Sequence, residues 1–234
     1  MKRTRRTLTA IVAMMALVCM MITGCGAKSA PADQSINALF ELYAKNNAAP
    51  MQELLGFESV EAVNAAFFED DTDADIVAEM KSIIEDADVE MTEEEIQSFT
   101  DSLMEMANKA SATAEITSED GDYTTVTLQV YGFSSEEMMT IIMDAATVMS
   151  ESITEEDAIA IGEGDMEVYN KYMKQYIADF VAGMAAMEPV AEPVEVVVEC
   201  EKQLVDVNGK EKAEWMPVDM AGFCADVDAA MLQE

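Results

Sequence analysis

The sequence predicts an α+β fold in which an antiparallel sheet of about four strands, formed by two hairpins, packs against several helices. Apolar residues recur at the three-and-four spacing of amphipathic helices through most of residues 34–110 and 134–187. In residues 112–131 and 194–216 the period falls to two, and each segment contains a turn sequence. Because helices and hairpins occupy separate runs of the chain, the pattern is typical of an α+β fold and not of alternating βαβ units.

The first 24 residues are predicted to form a helical signal peptide. Four basic residues lie between positions 2 and 6, and an apolar-to-small run then extends from Leu8 to Ile22, which is the order of a charged n-region and an h-region. The run ends in Ile22-Thr23-Gly24-Cys25, which resembles the lipobox of bacterial lipoproteins. The resemblance implies that the chain is cut before Cys25, that this cysteine carries acyl chains such as palmitate, and that the protein is anchored to the extracytoplasmic face of the cell membrane.

Two other interpretations of this segment remain open. A transmembrane anchor needs about 20 apolar residues, and this run is shorter and ends in Gly-Cys-Gly. An ordinary secretory signal usually ends in an Ala-x-Ala-like cleavage site, whereas Ile-Thr-Gly precedes Cys25. The lipobox interpretation therefore predicts where the protein is located and leaves its activity undetermined.

Cleavage before Cys25 would leave 210 residues, which we predict to be a flexible tether over 25–33 and a single α+β domain over 34–234. The leader contains four of the 13 basic residues and none of the 47 acidic ones, so the remainder has a net charge of −38 and no arginine. Such a chain lacks the basic patches that neutralise phosphates, which excludes nucleic-acid binding. Anionic lipid headgroups repel such an acidic chain as well. We therefore expect the protein to be attached through the acyl chains on Cys25, and two such chains are enough for stable anchoring.

We expect a helical layer over residues 34–110, a hairpin over 112–131 and further helices over 134–187. Gly162 and Gly164 should interrupt the last helical run. Helix starts are indicated by side chains that can cap backbone N–H groups. These are Asp33, Ser59, Thr92 with Glu95, Ser134 with Glu137, and Thr154.

The C-terminal segment is predicted to be a hairpin over 194–216 followed by a helix over 217–232. Asn208-Gly209 is a strong signal for a two-residue hairpin turn. The parity of the alternating apolar residues slips between Cys200 and Val205, which predicts a bulge or a break in the strand there.

Cys200 and Cys224 are the cysteines that remain after Cys19 leaves with the leader and Cys25 is lipidated. Outside the cytoplasm such a pair can form a disulfide, and a C-terminal helix lying on the sheet would bring the two together. Two separate buried thiols fit the sequence as well, since free cysteine is among the most buried residue types. Both possibilities stay open.

The chain has no histidine, which removes the usual general base and every nucleophile system that depends on it. It also lacks a Gly-rich phosphate loop and a CxxC motif. Paired carboxylates of the glycosidase type are not excluded, but 47 acidic residues make any chosen pair uninformative. We therefore predict that the protein is not an enzyme and needs no cofactor.

Two metal sites are conceivable, although we predict none. Asp71, Asp73 and Asp75 alternate as in a calcium loop, but the sixth and twelfth positions counted from Asp71 are Ile76 and Ser82 instead of Gly and Glu. Methionine thioethers can ligate Cu(I), and groups stand at Met138, Met139 and Met143 and at Met184 and Met187. Because these methionines follow the same stripes as Ile and Ala, we expect them to pack in the core.

The order of the elements, with the Asn208-Gly209 turn followed by Trp215, is similar to that of lipoproteins of Gram-positive anaerobes that carry domains of unknown function. Their curved sheet is similar to those of the cystatin and nuclear-transport-factor-2 groups. The resemblance covers roughly residues 33–234. It implies an α+β fold and supplies no catalytic residue.

These observations predict a lipid-anchored, non-enzymatic protein of the bacterial envelope. We expect its domain to bind another envelope protein, a peptide or a small ligand in the concavity of its sheet. The alternative is the substrate-binding component of a transport system, which usually needs two lobes of alternating strands and helices.

Overall fold

The structure is a computed structural model that describes residues 29–68, 73–86 and 88–233. It confirms the predicted α+β class. The helices are α1 (Ala32–Lys45), α2 (Ala49–Leu55), α3 (Val60–Phe67), α4 (Asp73–Asp86), α5 (Glu93–Lys109), α6 (Ser135–Ser152), α7 (Glu155–Gly162), α8 (Met166–Ala186) and α9 (Met220–Met231). The strands are β1 (Ser111–Asp120), β2 (Tyr123–Tyr131), β3 (Phe133–Ser134), β4 (Val194–Val207), β5 (Lys210–Pro217) and β6 (Leu232–Gln233).

Most of the predicted helix caps are confirmed. The hydroxyls of Ser59, Ser134 and Thr154 each accept a hydrogen bond from a backbone N–H three residues later. Thr92 and Glu95 form the complete capping box at the start of α5. Local side-chain chemistry therefore fixes where these helices begin.

The predicted cap at Asp33 is wrong, because α1 begins one residue earlier. Pro31 is the N-cap, and its carbonyl accepts hydrogen bonds from the N–H groups of Gln34 and Ser35. Asp33 lies in the first helical turn, where a carboxylate favours the positive end of the helix dipole. The last two residues of the predicted tether, 25–33, are consequently helical.

Four strands form one antiparallel sheet in the order β1-β2-β4-β5. The two predicted hairpins supply β1 with β2 and β4 with β5. They join through β2 and β4, where Val126 lies opposite Val198. Asn208 and Gly209 both have positive φ, 55° and 78°, as a type I′ turn requires.

The predicted bulge or break between Cys200 and Val205 is wrong. Pairing of β4 with β5 continues without a register shift from Cys200 opposite Pro217 to Val207 opposite Lys210. Instead, β4 changes partner along its length, since residues 194–201 pair with β2 and residues 200–207 pair with β5. The parity of burial changes because a long strand twists and because α9 and α3 both contact it. A register shift does occur in the first hairpin, between Ile116 and Ser118.

The contacts of the chain divide it into two compact units. Among the described residues, unit 1 contains 29–68, 111–132 and 191–233, and unit 2 contains 73–86, 88–110 and 133–190. Both therefore draw on separated segments of the sequence. Such a division does not decide whether the units fold independently, so the single domain over 34–234 stays a prediction.

Unit 1 has its core between α1 and the four-stranded sheet. Helix α1 contacts β1, β2 and β5, and α9 contacts β2, β4 and β5. The largest fully buried side chains include Phe40, Ile36, Leu42 and Leu128. The sheet is thus covered by helices on its apolar face.

Unit 2 is built around α8, which contacts α5, α6 and α7. Its core cluster contains Ile84, Val89 and Ile96. Polar contacts supplement it: the Lys174 ammonium lies 3.0 Å from the Glu95 carboxylate, and Lys109 donates to the carbonyls of Ala185 and Met187 at the end of α8.

The expected core packing of the methionines is confirmed in part. Met184 and Met187 are buried, whereas Met139 and Met143 on α6 are 56% and 62% exposed. The expectation is wrong for these two because α6 packs on α8 through its other side, where Ile141 meets Gly183. Periodicity alone could not show which face of α6 is buried, because apolar residues lie on both faces.

Neighbouring valines on β4 provide a direct test of which face of the sheet is buried. Val198 is 4% exposed and Val197 is 64% exposed. We expect Val198→Ala to lower the free energy of unfolding by about 2 kcal/mol, because it removes two buried methyl groups and leaves a cavity. The matched Val197→Ala variant should change it by less than about 0.5 kcal/mol. Urea unfolding of both variants gives the comparison, and equal losses would contradict the assignment of the faces.

Candidate functional site

The predicted lipidation residue, Cys25, lies outside the described residues, as do residues 69–72 of the acidic tract. Within the described residues, no group of three or more acidic or cysteine side chains is placed to hold a metal ion. In the same part of the chain, no helix combines the length and apolar character needed to cross a bilayer.

Cys200 and Cys224 both belong to the core region of unit 1, and both are unbonded thiols in this structure. Burial, with the nearby Glu199 carboxylate, raises the pKa of Cys200 to about 12. Burial, with Asp228, raises the pKa of Cys224 to about 11. A thiol that stays protonated at neutral pH is a weak nucleophile, so neither has the character of a catalytic cysteine. The disulfide between them stays a prediction.

Tyr43 of α1 contacts the same part of α9. Its hydroxyl donates a 2.9 Å hydrogen bond to Asp228. Burial and the adjacent carboxylate raise the pKa of Tyr43 well above its ordinary value. Burial also raises the pKa of Asp228. This cluster holds α1 against α9.

Unit 1 contains an open cleft beside the edge strand β1, with a volume of about 550 Å³. We call it the β1 cleft. Its walls come from the first turns of α1, from α2 and from β1. The lining residues are Asp33, Gln34, Asn37, Ala38, Pro50, Glu53, Leu54, Ala112, Thr113 and Ala114.

Two oxygen atoms of residues lining the cleft have no hydrogen-bond partner although they are shielded from solvent. They are Oδ1 of Asp33 and Oδ1 of Asn37, which stand four residues apart and therefore on the same side of α1. Buried acceptors without a donor are costly and uncommon in folded proteins. Both atoms belong to residues that line the β1 cleft, so unpaired acceptors lie behind its wall.

The charge of the cleft is negative. Asp33 and Glu53 line it, and none of its lining residues is basic. The nearby Lys212 instead donates to the carbonyls of Leu54 and Leu55 at the end of α2. The electrostatics thus favour a cationic or donor-rich group in the cleft.

Helix α1 is held over the sheet by a buried polar contact. Ser35 donates a 2.7 Å hydrogen bond to Oε1 of Glu214 on β5, which also accepts from the Trp215 N–H. Glu214 is 0% exposed, and its Oε2 has no partner. Because Ser35 lies between Asp33 and Asn37, this contact fixes the part of α1 that lines the cleft.

The strand at the cleft is an edge of the sheet. β1 pairs with β2 on one side, and no strand pairs with its other side in the part of the chain that the structure describes. Ala112 and Ala114 are half-buried and Thr113 is exposed. An edge strand offers backbone donors and acceptors to an added strand.

The sequence did not indicate this site. Asp33 is predicted only as a helix cap, and no predicted motif includes Asn37 or Glu53. The cleft depends on α1 lying next to β1, about 75 residues later in the chain. No periodicity or local motif in either segment indicates that α1 contacts β1.

No protein-family model matches the sequence, and no curated protein matches it. A similar solved structure is that of a candidate lipoprotein (ycdA) from Bacillus subtilis, with a TM-score of 0.53 and 14% sequence identity. The match covers 87% of this chain and 56% of that chain, so the protein spans little more than half the length of its structural relative. At this identity the likeness shows a shared fold. The more specific similarity to cystatin or nuclear-transport-factor-2 sheets stays a prediction.

Proposed function

We propose that the protein is a lipoprotein anchored through Cys25 to the extracytoplasmic face of a bacterial cell membrane, where it acts as a non-enzymatic binding module. The observation that carries the anchoring is the Ile22-Thr23-Gly24-Cys25 sequence directly after an apolar run with basic residues before it. The shared fold with a candidate lipoprotein of Bacillus subtilis supports the same conclusion. Gram-positive origin belongs to this proposal as well.

The binding role is supported by the β1 cleft. It combines an open concavity, two acceptor oxygens without donors and a negative lining. The thiols of Cys200 and Cys224 have raised pKa values, and the chain has no histidine to activate a nucleophile. These groups favour recognition of a ligand over its chemical conversion.

The alternative role, a substrate-binding component of a transport system, gains no specific support. The strands of unit 1 form one antiparallel sheet, whereas such components are usually built from lobes of alternating strands and helices. We therefore retain the binding module as the proposal.

A palmitate-labelling experiment on cells that produce the full chain tests the anchoring. We expect Cys25→Ser to abolish both the label and retention in the membrane fraction. Cys19→Ser is the matched control, because it removes a leader thiol six residues upstream and should leave both readouts unchanged. Full membrane retention of Cys25→Ser would refute the proposal and would instead support an uncleaved transmembrane leader.

A further inference from the structure

We propose that the β1 cleft binds an extended, cationic peptide segment of another envelope protein, which adds as a strand to the outer edge of β1 and places a lysine or arginine side chain in the cleft. This inference rests on the proposed binding role and specifies its ligand.

The edge of β1 supplies the backbone part of the site. The strand is ten residues long, from Ser111 to Asp120, and its pairing with β2 uses only one of its two sides. Residues 117–120 are exposed throughout. The register shift between Ile116 and Ser118 and the carboxylates of Glu119 and Asp120 protect the far end of this edge, so residues 111–116 are the part that can recruit another strand. Strand addition satisfies such an edge through main-chain hydrogen bonds, and neighbouring pockets then select side chains.

The acceptors supply the side-chain part. Asp33 and Asn37 each have a solvent-shielded oxygen without a donor, and Glu53 adds an exposed carboxylate to the lining. A lysine ammonium offers three N–H donors and an arginine guanidinium five, with no acceptor of their own. Hydrogen bonds from such cations to carboxylates are shorter and stronger than neutral ones. The carboxylates of Asp33 and Glu53 in the lining therefore favour a basic side chain in the cleft.

The edge and the acceptors meet at residues 112–114, which belong both to β1 and to the wall of the cleft. A peptide paired with these residues would have alternate side chains directed to the side on which Ala112 and Ala114 lie, because side chains of a strand alternate between faces. One side chain in two can therefore reach α1. A free amine would pair with the carboxylates of the cleft and leave the edge of β1 unpaired, so we expect a peptide to bind more tightly.

The experiment uses the full lipidated protein in detergent micelles and measures the fluorescence anisotropy of labelled seven-residue peptides. The probe is a blocked Thr-Val-Thr-Lys-Thr-Val-Thr peptide. The first comparison peptide has acetyl-lysine at the centre, and the second has N-methylated backbone groups at alternate positions. Nα-acetyl-lysine amide, whose side-chain amine is free, measures the binding of the amine without a peptide strand.

We expect the lysine peptide to bind about tenfold more tightly than the acetyl-lysine peptide, because acetylation removes the charge and two donors. The N-methylated peptide and the free amine should bind at least about tenfold more weakly, because neither completes the edge. Asp33→Asn should weaken binding of the lysine peptide by about tenfold and bring it close to that of the acetyl-lysine peptide. Glu211→Gln, which removes one exposed carboxylate from β5 outside the cleft, is the matched control and should have little effect.

The inference would be overturned if the acetyl-lysine peptide or the N-methylated peptide bound as tightly as the lysine peptide. It would also be overturned if the lysine peptide did not bind at millimolar concentration. Binding of the free amine as tightly as the peptide would assign the cleft to small cations instead. Palmitate at Cys25 is measured in the same preparation, so failure of the anchoring and failure of peptide binding can be distinguished. Peptide binding can fail while the anchor is present, and the anchor can fail while the peptide still binds.

Discussion

Replacing Gly132 with alanine is expected to lower the free energy of unfolding by about 3 kcal/mol or more. A Cβ atom at this position would lie 2.5 Å from the carbonyl oxygens of both Ala230 and Met231. These are backbone atoms at the end of α9, so no side chain can rotate to relieve the clash. Overpacking of this kind usually costs 1–3 kcal/mol where side chains can adjust, and a rigid neighbour places the cost at the upper end.

Gly162→Ala is the matched control for this prediction. Gly162 ends α7, and a Cβ there would meet nothing within 4 Å. Alanine favours a helix over glycine by about 0.8–1.0 kcal/mol, so we expect unchanged or slightly increased stability. Thermal and urea unfolding of both variants measure the difference. If Gly132→Ala unfolds at the same urea concentration as the parent protein, the close approach of α9 to Gly132 is incorrect.

Unit 1 should lose stability as the pH rises above about 8. Burial raises the pKa of Cys200 to about 12 and that of Cys224 to about 11, and burial also raises the pKa of Tyr43. In the unfolded chain these thiols ionise near pH 8.5 and the phenol near pH 10. The folded state therefore keeps its protons while the unfolded state loses them. Its full stability is present below about pH 8 and falls through the window between the unfolded and folded pKa values.

Across that window each such group contributes a slope of about 1.4 kcal/mol per pH unit. Urea unfolding between pH 8 and pH 11 measures the slope, and Cys200→Ala is the control, because it removes the most deeply buried of the titrating groups. We expect the variant to have a shallower dependence on pH than the parent protein. Identical slopes would show that Cys200 has the same pKa in the folded and unfolded chains, or that it is held in a disulfide.

The same material distinguishes free thiols from the disulfide that the sequence leaves open. If Cys200 and Cys224 are bridged, alkylation in urea will require a reductant and the thiol contribution to the slope will be absent. If they are free, as in the structure, both will react in urea without reductant. Mass spectrometry of the alkylated chain gives the count.

Features set by a few neighbouring residues could be predicted from the sequence. The capping box at Thr92 and Glu95 and the turn at Asn208 and Gly209 appear in the structure as expected. The change of period from near 3.6 to 2 gave both hairpins and the α+β class. Each of these depends on interactions between residues close in the chain, which the local pattern describes completely.

Features that depend on contacts between distant segments, the candidate site among them, could not be predicted in this way. Glu214 occurs between Ala213 and Trp215 in a strand where alternation would place the charge outside, yet it is buried because Ser35 of α1 donates to it. Met139 and Met143 fit an apolar stripe and are exposed because α6 uses its other face against α8. In each case the decisive partner lies far away in the sequence.

The sequence by itself determined the apolar leader ending at Cys25, the absence of histidine, the strong negative charge, and the number and turns of the hairpins. These follow from residue identity and local spacing. Only the tertiary structure decided that β2 pairs with β4, that β1 is left as an edge, and that α1 lies beside it to form the cleft. The physical reason is that either strand of a hairpin can become the edge of a sheet. The choice is made by burial of apolar surface between distant segments, which a local pattern does not encode.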